Sequence, residues 1–588
     1  MPTDAVFTCL EAAATMKSRS IDEAVAFLTR HDPRFSLGKT LVNGVSLPVF
    51  TAAPPSVTAL LQAKAEEFGD RELLVFAKER LTYREFADRV WRFARVLQDQ
   101  FAIGSGDRVA IAMRNYPEYV ITLLATASLG AVAVHMNAWW TARELTYGFE
   151  DSGARLAVVD DERAERLVDI ASRLKITLIR VRSSDQQAVD FDRLMERQPL
   201  ATPINPGVSP DDDFSIMYTS GSTGHPKGVI LTHRSVMTAL WSWLMILPTY
   251  EAMGHPIPPA TDQAGKPLVQ SNLVTVPFFH ISGTNSCFLL TLASGGKVVL
   301  MPKWDARLAV GLIEEEKITR FWGVPTMSAD IVDVAAATGA SLATLNSIDA
   351  GGAKRPASQV GELARQFKQA SPATGFGMTE TNGLGIRLSG KEYIDHPSAA
   401  GRLIPPVQAL RIVADDGTVS ATGVVGELLL KSAATMRGYL NKPEQTQAVL
   451  RNGWLRTGDL AYQDAQGLVY IVGRKKDMII RGGENIACPE VEGALHQISG
   501  VLEACVFSIP HERLGETVGA AIYAASPPTQ RSLQALLETS LARFKIPEQV
   551  WYYRAPLPRG ATEKIDKRSI REACLNGEVE PCPSAEHG

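Results

Sequence analysis

Short apolar runs of strand character recur through the first 400 residues, each followed by a stretch with helical spacing. Arg108–Met113 reads as a buried strand, followed by a helix to Gly130 and a second strand over Ala131–Val134; the rhythm returns at Ala154–Val159, Thr177–Val181, Val274–Phe279 and Lys297–Leu300. A strand that is apolar throughout needs cover on both faces, and intervening helices supply it. The alternation therefore predicts an α/β core with parallel sheets. Ahead of this core, Ile21–Leu28 suits one amphipathic helix with a turn at His31–Arg34. Thr82 and Glu85 match a capping box that opens a helix through Val96. The Pro- and Gly-rich stretch 248–272 reads as a surface loop. From about Val407 the texture is strand-heavy, at Leu410–Val413, Gly426–Leu430 and Gly467–Val472. Past Asp477 a compact α+β unit is expected, from Val501–Ile509, Ala520–Ala525 and a helix over Arg531–Arg543.

At 588 residues the chain has room for several core-bearing units, roughly four on length alone. The expected division is an extension over 1–50, a large domain over 51–473, a hinge at 474–477, a small domain over 478–575 and a tail over 576–588, disordered from Pro581. A net charge of −4 gives no general attraction to nucleic acid or to an anionic membrane. Six scattered cysteines at no metal or redox spacing suit reduced thiols and a cytoplasmic protein. The N-terminus shows no secretory pattern. The apolar run Tyr119–Val134 is too short to span a bilayer and reads as a buried helix.

Between two strand-like segments, Phe214–Tyr218 and Gly228–Leu231, lies Thr-Ser-Gly-Ser-Thr-Gly-His-Pro-Lys. A loop of this composition can turn backbone N–H groups around an anion while its hydroxyls and lysine add donors. It differs from the common nucleotide loop, because Lys227 stands between Pro226 and Gly228. Further on, Thr374-Gly-Phe-Gly-Met-Thr-Glu380 offers a ring for stacking, two glycines for close approach and a carboxylate able to hold Mg²⁺. Gly453–Asp459 places an acid at a turn, and Arg474-Lys-Lys476 is a basic cluster that could serve a phosphate.

In order and wording these segments resemble the motifs of the adenylate-forming enzymes, which include acyl- and aryl-CoA synthetases, peptide-synthetase adenylation domains and luciferases. Further matches are Ala350–Ala353, Met436-Arg-Gly-Tyr439, Ile480–Ile486 and Leu557–Lys567, so the resemblance runs from about residue 55 to 575. It implies a large domain of two α/β subdomains with a small β-barrel, and a mobile α+β C-terminal domain. It implies ATP, Mg²⁺ and coenzyme A as reactants, and two half-reactions through an acyl-adenylate. By the same resemblance Thr219, Ser220, Gly221, Ser222, Thr223, Gly224 and Lys227 hold the phosphates. Gly351, Gly352, Ala353, Phe376, Gly377 and Met378 hold the adenine end, Asp459 and Arg474 the ribose region. Thr379 and Glu380 serve catalysis, Glu380 as metal ligand, and Lys564 bridges the carboxylate and the α-phosphate. Lys476 is the hinge, and Gly483 lies beside the thiol channel. Two departures stand out: Glu563 replaces the usual glycine before Lys564, and Gly560 replaces a threonine. Spacing from Pro558-Arg559 selects Lys564 over Lys567.

His280 stands where amino-acid-activating relatives carry an aspartate, so the resemblance speaks against an amino acid and gives His280 a gating role. The implied acid pocket (Phe279, His280, Ser282, Gly283, Trp322, Val324, Gly352, Gly375 and Asn382) is mostly apolar or small. That suits a hydrophobic small-molecule carboxylic acid, a medium- or long-chain fatty acid first, because buried apolar area drives affinity. An aryl- or sterol-acid ligase, an acyl-AMP ligase loading a carrier protein, and a non-catalytic adenylate-binding protein are the alternatives. No carrier domain with its Gly-x-Ser site follows residue 575, which favours free coenzyme A. No nucleic acid or transmembrane segment is expected, and a homodimer is compatible with the sequence.

Overall fold

In the computed structural model, residues 19–204, 207–219, 226–262, 264–351, 355, 357–367, 369–482, 484–524, 526, 529–560 and 564–582 are described. Two large sheets dominate. The first has seven strands in the order Gly438–Tyr439, Lys227–Thr232, Asp213–Thr219, Val132–His135, Arg108–Ala112, Leu156–Asp160 and Thr177–Val181. The second has nine, from Arg402–Leu403 through Ile386–Ser389, Ser371–Phe376, Ser347–Ala350, Arg320–Gly323, Ser271–Val274, Lys297–Leu300 and Glu72–Phe76 to Glu79–Thr82. Neighbours from Ser371–Phe376 to Glu72–Phe76 run parallel. One apolar cluster draws on both sheets, Val109 and Ile111 from one and Val274 and Leu300 from the other, together with the helices Tyr83–Phe101, Pro117–Ala127 and His233–Leu244. Burying two fully apolar strand faces against shared helices joins the sheets into one body.

A five-stranded antiparallel sheet follows, built on Gln408–Val413, Gly426–Ser432 and Trp454–Gln463, with Val469–Arg474 paired to the last of these. A short 3-10 turn, Lys475–Asp477, leads from it to a C-terminal unit with its own five-stranded sheet. That unit has a separate core, including Ile479, Val491, Val506, Val518 and Val550. The N-terminal helix Ile21–His31 is opened by a Ser20–Glu23 capping box and lies against helix Ile246–Ala252, with Ala24 and Leu28 sharing a cluster with Met245 and Ala252.

Several sequence expectations need correction. The strand expected over Val274–Phe279 is Ser271–Val274 instead. Pro277 has no N–H for a ladder, and the Asn115 side chain satisfies the neighbouring backbone, donating to Val276 O (2.9 Å) and accepting from Phe278 N (2.9 Å). The 248–272 loop loses its start to helix Ile246–Ala252, which packs on the N-terminal helix, and its end to that same strand. The apolar run Tyr119–Val134 is split, because Gly130 at φ 69° separates helix Pro117–Ala127 from strand Val132–His135. The helix expected over Arg531–Arg543 spans Gln530–Leu537; beyond it the Thr539 and Ser540 hydroxyls bond back to Leu536 O and Leu537 O. Pro581 and Cys582 are ordered by the sheet: Cys582 N donates to Val550 O (2.7 Å), and its side chain is buried.

Candidate active site

The C-terminal unit meets the large body where Lys564 comes within electrostatic reach of Asp459, Arg474 and His280, and we refer to this junction as the cleft. Thr219 and Lys227 are register partners at the mouth of the strand hairpin, so the phosphate-type loop is pinned at both ends. Ser220, Gly221, Ser222, Thr223, Gly224, Gly352, Ala353, Gly483 and Glu563, named from the sequence, lie outside the described residues. The Lys227 ammonium stands over the Tyr439 ring, 4.9 Å from its centroid. Tyr439 donates to Glu380 Oε1 at 2.8 Å. Sequence reasoning assigned Tyr439 no part beside Glu380, because 59 residues separate them. The antiparallel pairing of Gly438–Tyr439 with Lys227–Thr232 brings them together.

Glu380 follows the end of strand Ser371–Phe376 in the short turn Thr379–Thr381 and is buried. Burial pushes its carboxyl up, opposed by its hydrogen bonds and more weakly by Arg474 and Lys227. Among the described residues no three His, Cys, Asp or Glu side chains converge. A magnesium ion here would take Glu380 and complete its shell with phosphate oxygens, the usual habit of that cation. Asp459 and Arg474 face each other across adjacent strands, with Nε to Oδ1 at 3.0 Å. Asp459 Oδ2 is enclosed without a hydrogen-bond partner, and burial raises the carboxyl. Such an acceptor fits the hydroxyl donors of a ribose.

Lys564 sits at the closing end of a narrow loop, where Gly560 N donates to Lys564 O (2.8 Å) and Arg559 and Ile565 form a bridge. Glu503 anchors that loop, accepting from Leu557 N at 2.7 Å and pairing with Arg559. Although open to solvent, the Lys564 ammonium is crowded by surrounding protein and by Arg474, which lower its pKa, while Asp459 draws it the other way. Lys567 is spoken for elsewhere, its Nζ 3.1 Å from Glu492 inside the C-terminal unit. Lys564 also acts on His280: burial first, and then that cation, hold the imidazole at about 3, so the ring is neutral at pH 7. His280 Nε2 is enclosed and has no partner. Lys476 is exposed in the connecting turn.

Beside the cleft a cavity of about 1020 Å³ opens along the nine-stranded sheet. Ser282, Trp322, Gly351, Gly375, Phe376 and Gly377, named from the sequence as pocket or adenine-end residues, line it. Gly351 has to be glycine here: a Cβ would meet the Trp322 ring at 2.4 Å. Met378 is half-buried at the edge of the main core. Four expected lining residues sit elsewhere. Phe279 is buried edge-to-face on Trp139, and Val324 packs in the cluster of Phe321 and Met327. Gly283 is closed off by the Pro277 carbonyl, 2.3 Å from where its Cβ would stand. Asn382 is fully buried, accepting from Asn285 Nδ2 (3.0 Å) and donating to Ala434 O (2.8 Å). In their place the wall carries Arg320, Asp349 and Arg387, which were not anticipated. The signal was present as charged and hydroxyl residues at alternate positions in Arg320-x-Trp322, Ser347-x-Asp349 and Arg387-x-Ser389.

Comparison with known proteins matches residues 61–440 to the AMP-binding enzyme family and residues 490–564 to the AMP-binding enzyme C-terminal domain. The chain is 33% identical over 496 residues to a feruloyl-CoA synthase of Amycolatopsis sp, covering 84% of this chain and 93% of the relative. It is 32% identical over 502 residues to a long-chain-fatty-acid–CoA ligase of Mycobacterium tuberculosis, covering 84% and 93%. The o-succinylbenzoate CoA synthetase of Bacillus subtilis, solved with its acyl-adenylate intermediate, superposes with a TM-score of 0.75 at 26% identity, covering 87% of this chain and 97% of that one.

Proposed function

The chain belongs to the AMP-binding enzyme family, and from that premise we propose that it joins a bulky carboxylic acid to coenzyme A through an acyl-adenylate. The observation that carries the proposal is the position of Lys564, a C-terminal cation in the same cleft as Asp459, Arg474 and His280 of the larger body. In the first half-reaction a carboxylate oxygen attacks the α-phosphorus of ATP and pyrophosphate leaves. Two anions must approach, and Lys564 would hold them together. Lys227 and the hydroxyls flanking it would neutralise the departing phosphates, and Asp459 would accept from the ribose. Bound magnesium, held by Glu380, would offset charge on the phosphate oxygens. In the second half-reaction the coenzyme A thiol gives up its proton, its sulfur attacks the acyl carbon, and AMP leaves. Neutral His280, with an unpaired ring nitrogen, suits contact with a carboxylic acid better than ion pairing does. The exposed turn at Lys475–Asp477 is where we place the swing of the C-terminal unit between the two steps.

The cavity volume favours an acid well beyond acetate in size. The relatives' names span aryl, fatty-acyl and dicarboxylic acids, so a fatty acid is one candidate within this class. The test measures AMP release from ATP and Mg²⁺ with a panel of aliphatic, aromatic and ring-bearing acids, each with coenzyme A or with a phosphopantetheine carrier protein. AMP release dependent on coenzyme A is expected. Release with the carrier alone would make this an acyl-AMP ligase, and no pyrophosphate exchange with any acid would defeat the proposal.

A further inference from the structure

The face of the nine-stranded sheet that walls the cavity is polar where a fatty-acid channel would be apolar. Strand register puts Arg320 and Trp322, Ser347 and Asp349, and Arg387 and Ser389 on one face, and all six line the cavity. The residues between them, Phe321, Ile348 and Leu388, point the other way into apolar clusters. One carboxylate serves two guanidinium groups: Arg320 Nε and Nη2 each lie 2.5 Å from Asp349 Oδ2, while Arg387 Nη2 lies 3.5 Å from Oδ1. Arg387 reaches Asp349 across the intervening strand, where Gly375 is its own register partner and Ala373 that of Asp349. Asp349 Oδ1 already accepts from the Ser347 hydroxyl at 2.8 Å. Burial would raise this carboxyl, but the arginines, Arg320 first, bring it down to about 2, so it stays ionised. Two cations against one anion leave the wall with one excess positive charge. Arg387 Nε is enclosed with no hydrogen-bond partner, a costly arrangement, so this guanidinium is less well satisfied than that of Arg320. A strut between strands needs only the Arg320–Asp349 pair. The second arginine, 26% exposed and lining the cavity, is what such a strut does not require.

The Arg320–Asp349 pair lies below the nucleotide end. Asp349 precedes Gly351, just past the end of its strand, by two residues and Arg320 precedes Trp322 by two, a descent of about 7 Å. Accepting the acid-activating role above, on which this step rests, we propose that the acid carries a second oxygen acceptor, best a carboxylate, remote from its reacting carboxyl. Arg387 binds that group, and Arg320 with Asp349 positions the guanidinium. Plain alkyl acids offer nothing to the excess charge and leave Arg387 with only its long contact to the shared Asp349.

The experiment compares three straight-chain acids of equal length ending in methyl, methyl ketone or a second carboxylate, read as kcat/KM for coenzyme-A-dependent AMP release. The wild-type enzyme is expected to prefer the diacid over the methyl-ended acid by at least tenfold, with the keto acid between. Arg387→Met lowers the diacid-to-methyl ratio at least tenfold, and Arg387→Lys restores part of it. A wild-type preference for the methyl-ended acid overturns the proposal, as does an equal loss for all three acids in Arg387→Met. If that variant does not fold, the wild-type order and Arg387→Lys decide. Brisk turnover of the methyl-ended acid alone would sink this inference and leave acid activation standing, whereas silence with every acid and either acceptor would sink both.

Discussion

At the nucleotide end of the cleft, Thr219, Lys227, Glu380 and Arg474 stand at strand ends or in a turn, and Asp459 within the strand Trp454–Gln463, each inside a short contiguous motif. In the cavity, Arg320, Asp349 and Arg387 stand on three separate strands, each followed or preceded by a residue (Phe321, Ile348, Leu388) that faces away into a core. The difference follows from what each region is proposed to bind. A triphosphate is surrounded by backbone N–H groups and close glycines, which only consecutive loop residues supply. An acid's carbon body is met by side chains from one face of a sheet, contributed every second residue by several strands. The first region can be read along the chain, the second only across it.

The comparison can be broken most sharply at Lys564. Lys564→Ala should lower acyl-adenylate formation more than a hundredfold, on the order of 3 kcal/mol in the transition state, while sparing thioester formation from supplied acyl-AMP. Equal losses in both half-reactions would remove Lys564 from the nucleotide end. Asp459→Ala comes next: the KM for ATP should rise about tenfold, the worth of a lost hydrogen bond to a charged acceptor, with the preference among acids unchanged. An altered acid preference would show that the two regions are not separate. A pH series should separate them with the smallest effect. Adenylation should fall as Lys564 loses its proton, at a pH below the ordinary lysine value of 10.5 because crowding and Arg474 lower its pKa. Acid preference should stay flat over that range, since the cavity wall holds Asp349 ionised from about pH 2 upward. If selectivity fell together with rate, Lys564 would be acting on the acid's far end as well.

Stability carries a pH signature of its own. His135, His233 and His280 are brought to about 3, 4 and 3 respectively, in each case chiefly by desolvation. The unfolded chain takes up protons on all three near pH 6.5, while the folded chain does not until far lower. Stability should therefore fall as pH drops from about 6.5 towards 4, with about three protons bound on unfolding near pH 5. A melting temperature independent of pH across that window would contradict the burial of these rings.

Much of the fold was legible because it rests on local rules. Thr82 and Glu85 form the capping box their spacing announces, and Thr177–Val181 is a strand with the bounds its apolar run suggests. Val274–Phe279 misled for an equally physical reason: an apolar run signals burial, and a side chain distant in sequence, Asn115, can satisfy a buried backbone as well as a strand can. Asn382 misled likewise, because its neighbours in sequence are site residues while its partners, Asn285 and Ala434, are not.

By itself the sequence determined the α/β architecture, the order of the motifs and the loops that we propose meet a nucleotide. Those depend on periodicity and on contiguous loops, which the chain spells out one residue after another. The tertiary structure alone decided that Tyr439 stands on Glu380, that Lys567 is tied to Glu492 while Lys564 is free to reach the cleft, and that two arginines share one aspartate in the cavity wall. These depend on strand order and register, which arise from how buried surfaces pack and carry no local mark in the chain.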